Sequence, residues 1–134
     1  MATVNVQPLF LSDTLLSLGE DEFAAAVSSV IFTPAADRVT FRGGRPDAVF
    51  SASNSAAWTA DITYVQDWTS EVSLSRFLFE NEGRSIEAVF TPQNGDAATV
   101  TATLSITPGA VGGAIGAHAT ATVSLGVVGR PVIA

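Results

Sequence analysis

Few side chains in this sequence could do chemistry. There is one histidine, His118, and there are thirteen carboxylates and six basic residues, all six of them arginine; cysteine and lysine are absent. A histidine shuttles protons near neutral pH, but catalysis needs a nucleophile or a second base beside it. His118 stands on the polar parity of a strand with Thr120 and Thr122, and no nucleophile-elbow pattern accompanies it, so it reads as a solvated or interface histidine. Gly109, Gly112, Gly113 and Gly116 follow a strand as a phosphate loop does, yet they open no helix and no lysine can reach a phosphate. Asp61, Asp67 and Glu71 lack the spacing of a calcium loop. Glu80 and Glu82 fall in the last turn of a helical pattern, where the macrodipole disfavours negative charge by about 0.3 kcal/mol or more. Arg76 and Arg84 lie close enough to pair with them, which is the simpler account; an intersubunit contact is the other. No catalytic residue, cofactor or metal ligand is expected.

The remaining candidates are arginines. Arg38, Arg42 and Arg45 sit in an excursion over about 34–57 that also holds Gly43, Gly44, Pro46, Asp37 and Asp47. A long irregular segment in a compact domain is more often functional than idle. The string Arg42-Gly43-Gly44-Arg45 would suit phosphate in isolation. Asp37 and Asp47 beside it favour ion pairing within or between subunits instead. The net charge of −7 points the same way, since phosphate binding relies on many cationic contacts, although an acidic excess also simply aids solubility.

The elements that must position these residues centre on Trp58 to Gly83, where hydrophobic spacing changes from period two to helical. Trp58, Ala60, Ile62 and Tyr64 alternate with Thr59, Asp61 and Thr63, the pattern of a half-buried strand. Leu74, Phe77, Leu78 and Asn81 then follow helical spacing, predicting a helix over about 69–82 with Thr69 or Ser70 as its N-cap and Gly83 as its stop. Three buried side chains contribute roughly 5–9 kcal/mol, while ordering each backbone unit costs about 1–2 kcal/mol, so this helix has to lie on a sheet.

The rest of the chain supplies that sheet. Thr14 to Leu18 and Phe23 to Thr33 read as a hairpin around an exposed acidic turn, Gly19 to Glu22, with a bulge near Ser28 and Ser29 where the apolar parity slips. Within 34–57 only Val39 to Phe41 and Ala48 to Phe50 look strand-like. Ile86, Ala88 and Phe90 face inward ahead of an Asn94-Gly95 turn, a strong hairpin signal. Val100, Ala102, Leu104 and Ile106 alternate with threonine and serine; Pro108 to Gly116 reads as a flexible connection; Ala117 to Val127 alternates again, and Gly129-Arg130-Pro131 ends the sheet. Residues 1–13 form an arm with Val4, Val6, Leu9, Phe10 and Leu11, too apolar to be left uncovered, either by the chain's own sheet or by a neighbouring subunit.

At 134 residues the chain suits one domain, 1–134, with a single core. Without cysteine, stability comes from packing alone, which fits the cytosol. No basic region precedes the first apolar run, so no signal peptide is indicated. Ala97 to Gly129 has no Asp, Glu, Lys or Arg, but its period-two alternation and its Gly and Pro make it strands and a loop, so no membrane span is expected.

These pieces in this order resemble a known family. The string WTADITYVQDWTSEVSLSRFLFENEG, preceded by FAAAVSSVIFTP and followed by IEAVFTPQNG, TATLSITPGAVGG and ATATVSLGVVGRP, is similar to the major tail (tail tube) proteins of long-tailed bacteriophages, especially those of actinobacterial hosts. The resemblance implies a mainly β fold, a β-sandwich or barrel-like tail tube domain with one flanking helix. Six copies would close into a ring, and rings would stack into a tube that lets double-stranded DNA pass without specific binding, capped by other tail proteins. The expected location is the virion tail, assembled in the host cytoplasm. Some members carry a further immunoglobulin-like domain; none is expected after Ala134. Subunit and ring contacts are expected from Leu9, Phe10, Arg38, Arg42, Gly43, Gly44, Arg45, Asp47, Glu80 and Glu82, and a bore lined by acids such as Asp61 or Glu87. The second reading is a β-sandwich module recognising cell-surface carbohydrate or protein, which exposed Trp58 or Trp68 would favour. A small hydrolase built on a carboxylate pair is a distant third.

Overall fold

Period-two alternation produces strands wherever one face can be buried, and here it does so repeatedly. A computed structural model describes residues 2–93 and 98–134. The strands are β1 (Leu15–Leu18), β2 (Asp21–Glu22), β3 (Val27–Ala35), β4 (Arg38–Arg42), β5 (Val49–Ser53), β6 (Ala57–Val65), β7 (Ser85–Thr91), β8 (Val100–Ser105) and β9 (Thr120–Ile133), with one helix, α1 (Leu74–Glu80), and a 3-10 turn at Ala24–Ala26. Seven strands form one sheet in the order β2-β1-β7-β8-β9-β6-β3, every pairing antiparallel, and β4 with β5 forms a separate ribbon.

This sheet has to curl. At about 4.8 Å between strands, a flat sheet would hold β2 and β3 about 29 Å apart. Only Phe23 to Ala26 separate them in sequence, a reach of about 17 Å at most. The inner faces of distant strands therefore meet: the rings of Phe32 on β3 and Phe90 on β7 lie 6.0 Å apart although β8, β9 and β6 intervene in the sheet. The enclosed core holds Leu16, Leu18, Ala60, Ile62, Tyr64, Ala88, Phe90, Ala102, Leu104, Ile106, Ala121, Val123 and Leu125, with Leu74 and Leu78 of α1 closing one end. Phe77 of α1 packs on Phe23, ring centroids 5.3 Å apart. The fold is mainly β and sandwich-like, with one helix, and the inward residues of β6, β7, β8 and the first half of β9 are those the alternation picks out.

Four expectations need correction. The helix is shorter than 69–82: Ser73 is the N-cap, its hydroxyl accepting from the Arg76 amide, and residues 69–72 form a turn held by Asp67. β3 pairs with β6, not with the strand before it, because the 3-10 turn carries the chain across to the other edge. The expected bulge is present, a register shift between Val27 and Ser29 opposite Tyr64 and Thr63. The stretch over 34–57 is a hairpin and not an irregular excursion: the two strand-like pieces expected at Val39 to Phe41 and Ala48 to Phe50 correspond to β4 and β5, which pair with each other. Finally, the sheet does not end at Gly129-Arg130-Pro131, since β9 runs on to Ile133 and pairs with β8. The Asn94-Gly95 turn lies outside the described residues; the strands on either side of it, β7 and β8, are paired as a hairpin requires.

Candidate functional site

In an antiparallel sheet successive connections alternate between the two ends. One end of this molecule carries the β4–β5 ribbon, the arm leading into β1 and the last residues of β9. The other carries the β1–β2 turn, the segment with α1, and the loop from β8 to β9.

The ribbon is the most unusual part. Its register places Val39 opposite Ala52 and Phe41 opposite Phe50, so these share one face, while Arg38, Thr40 and Arg42 take the other. The Phe41 and Phe50 rings lie 6.3 Å apart and remain 65% and 64% exposed. Val39, Phe41 and Phe50, with Ser51 and Ala52, line a shallow apolar hollow of about 220 Å³. The turn is tight: the Gly43 amide donates to the Ala48 carbonyl at 2.7 Å, and a Cβ at Gly43 would meet the Ala48 Cβ at 2.8 Å, so glycine is required. Arg45 reaches Asp47 at 3.9 Å, both side chains being exposed, a pair worth little in water. Of the ion pairs expected in this segment, this is the one found among the described residues. A two-stranded ribbon is marginal alone, and among the described residues nothing covers the apolar face of this one.

The arm is equally bare, with Val4, Val6, Leu9 and Phe10 at 66–80% exposure. At the opposite end, Glu20, Asp21, Glu71, Glu80 and Glu82 are all exposed. The expected pairing of Glu80 and Glu82 with arginine does not occur among the described residues; Arg76 instead donates through Nε to the Trp68 carbonyl at 2.8 Å. The arginines Arg38, Arg42, Arg45 and Arg130 stand at the ribbon end beside Asp13, Asp37 and Asp47, while Glu20, Asp21, Asp67, Glu71, Glu80 and Glu82 outnumber Arg76 and Arg84 at the other, so the negative excess is concentrated at the helix end.

The helix end is rigidly built. The Gln66 side chain donates to the Gly112 and Thr120 carbonyls at 2.9 and 3.0 Å and accepts from the Gly112 amide at 2.9 Å and from Trp68 Nε1 at 3.1 Å. Pro108 to Gly116 is therefore pinned to the strand–helix junction rather than being a free connection. Asp67 accepts from the Thr69 and Ser70 amides, and these bonds, the Ser70 amide first, hold its carboxyl below the ordinary aspartate range. His118 is exposed just before β9.

Asp61 and Glu87 both lie on the outward side of the sheet, opposite the parity of buried Ile62 and Ala88, and are separated by β8 and β9. Between them the outward positions include Thr101, Thr103, Thr122 and Ser124, with exposed Val128 opposite Thr103 and exposed Ile31 opposite Asp61, and Thr63 and Thr122 share a hydroxyl hydrogen bond of 2.9 Å. Trp58 and Trp68 are both half-buried, Trp68 edge-on against Phe79. Sequence reasoning located the arginines and glycines of the ribbon but not its amphipathic face, because both strands are fully exposed and carry no burial signal. The parity of Val39 and Phe41 against Arg38 and Arg42 was the available clue. Compared with protein-family models and with curated proteins, the chain matches none, so any functional reading rests on these surfaces.

Proposed function

We propose that this chain is a structural subunit, without catalytic activity, that assembles with copies of itself into rings, six to a ring, which stack into a hollow tail tube for the passage of DNA. The observation that carries the reading is the β4–β5 ribbon, an amphipathic pair of strands holding Phe41 and Phe50 in solvent. Such a surface gains its stability only against another body, and a contact from one end of a molecule to a different surface of the next propagates as a ring or a filament. The polar distribution of charge supports head-to-tail stacking, arginines toward carboxylates. The outward sheet face, largely threonine and serine with Asp61 and Glu87 and with Ile31 and Val128 as its apolar members, supports its use as a bore, since it offers DNA hydroxyls and negative charge instead of a cationic track.

Electron microscopy and sedimentation of the purified, concentrated protein test this. Rings or tubes are expected from the native chain. The double substitution Phe41→Thr and Phe50→Thr is expected to leave thermal stability within about 0.5 kcal/mol, as exposed changes do, and to abolish assembly. Monodisperse native protein, or tubes of normal length from the variant, would refute the reading or the ribbon's part in it respectively.

A further inference from the structure

β9 pairs with β6 only from Thr120 to Gly126, opposite Val65 to Thr59, and there the two strands part. On its other side β8 holds Thr101 against Val132 and Thr103 against Val128, so Gly129, Arg130 and Pro131 all crowd opposite Ala102. Gly129 takes the left-handed φ of +80° that this bulge needs, and Pro131, which has no amide to donate, is buried by it. Where the strands separate, a cleft of about 550 Å³ opens, lined by Phe32, Trp58, Val100, Pro131, Val132 and Ile133 with Arg130 the one charge among them. The margin of β6 at Ala57 and Trp58 has no β9 partner there.

We infer that this cleft receives the N-terminal arm of a second copy, laid along the open margin of β6 with Phe10 as its apolar anchor. The exposed loop over 108–116, with Val111 and Ile115, is held at the opposite end of the molecule by Gln66 and cannot lie along a strand margin, which leaves the ribbon and the arm as candidates. The ribbon carries Arg38, Arg42 and Arg45 and would bring like charge onto Arg130. Residues 2–12 carry no charged side chain. Residues 2–11 belong to no helix or strand of the chain, which leaves their backbone groups open to addition to a strand margin, where backbone groups supply affinity and alternate side chains enter the cleft. Its own cleft is within reach, because only β7 separates β1 from β8 in the sheet, yet Leu9 and Phe10 stay 66% and 70% exposed. Among the described residues, a single copy thus presents an unfilled acceptor and an unused donor, the condition for exchange between identical chains. This inference rests on the self-assembly proposed above.

The absence of cysteine makes the test specific. The variant combining Phe10→Cys with Ile133→Cys, both at exposed positions and the second on the cleft side of β9 opposite Val100, is assembled under reducing conditions, imaged, then oxidised and run on a non-reducing gel. A ladder of cross-linked multimers is expected, with the single variants giving no species beyond a dimer. A fast-migrating internally cross-linked monomer would overturn the inference by assigning the arm to its own cleft, and so would assemblies that fail to cross-link; in both cases rings or tubes in the reduced sample leave self-assembly standing. Dispersed monomers in the reduced native protein would remove both. As an independent check, Phe10→Asp is expected to lower the extent of assembly at least tenfold with an unchanged melting temperature, and full assembly by that variant would contradict the arm's role.

Discussion

Gly109, like Gly43 in the ribbon turn, is a position at which the fold leaves no room for a side chain. A Cβ at Gly109 would lie 2.1 Å from the Tyr64 hydroxyl oxygen, and Tyr64 itself is buried in the core of β6. Gly109→Ala therefore forces the ring or the loop to move, at about 1–3 kcal/mol, and chemical denaturation should show it. Adding Tyr64→Phe removes the obstructing oxygen, so the double variant is expected to lose less than the sum of the two single losses; strict additivity would mean the two groups do not clash. Asp67 gives a second test. Its ionised form is favoured in the folded chain by the Ser70 and Thr69 amides, so its contribution is complete above the ordinary aspartate pKa and is lost as pH falls through the lower folded value. Thermal unfolding followed from neutral pH into acid should show this loss in the native protein and not in Asp67→Asn. Neither role was legible in the sequence. Gly109 looked like one of several loop glycines, and Asp67 like a candidate metal ligand without partners, because both roles depend on groups brought together by the turn of the chain after β6.

Elements were legible in proportion to how fully one of their faces is buried. β6, β7 and β8 each bury alternate side chains under the same core, and period two is the direct imprint of that burial. The ribbon of β4 and β5 packs on no core among the described residues, so only Val39 to Phe41 and Ala48 to Phe50 read as strand and the rest as loop, although its backbone pairs from Arg38 to Ser53. β9 past Gly129 was lost for a different reason: Gly129 and Pro131 signal a break, and a bulge satisfies both residues without ending the strand. The helix was recognised but started too early, since Thr69, Ser70 and Ser73 are all competent caps and only the hydrogen bonds choose among them. Ser73 accepts from Arg76 and donates to the Asp67 carbonyl, whereas the Thr69 and Ser70 amides are already taken by Asp67. Ser73→Ala is accordingly expected to cost about 0.5–2 kcal/mol, and Thr69→Ala much less, in urea titrations of the two variants. The reverse order would restore the longer helix.

At the scale of the whole molecule, the separation of charge along the strands makes a prediction that apolar contacts alone do not. The native chain places Arg38, Arg42 and Arg45 on the ribbon and Glu20, Asp21, Glu80 and Glu82 at the far end, all exposed. Stacking head to tail brings the two groups together, and the attraction extends over a Debye length of about 10 Å at 0.1 M salt but only about 3 Å at 1 M. Sodium chloride should therefore slow tube growth, measured by light scattering. Ammonium sulfate, which strengthens apolar burial, should slow it less at equal ionic strength. A salt effect of one sign is weak evidence, because many things change with ionic strength. The sign can be inverted. Arg42→Glu with Arg45→Glu puts carboxylates where the arginines were, so that stacking opposes like charges, and sodium chloride should then speed whatever growth remains. If the native protein and this variant respond to salt in the same direction, the ends do not meet through these charges, and the ribbon joins its neighbour through Phe41 and Phe50 alone.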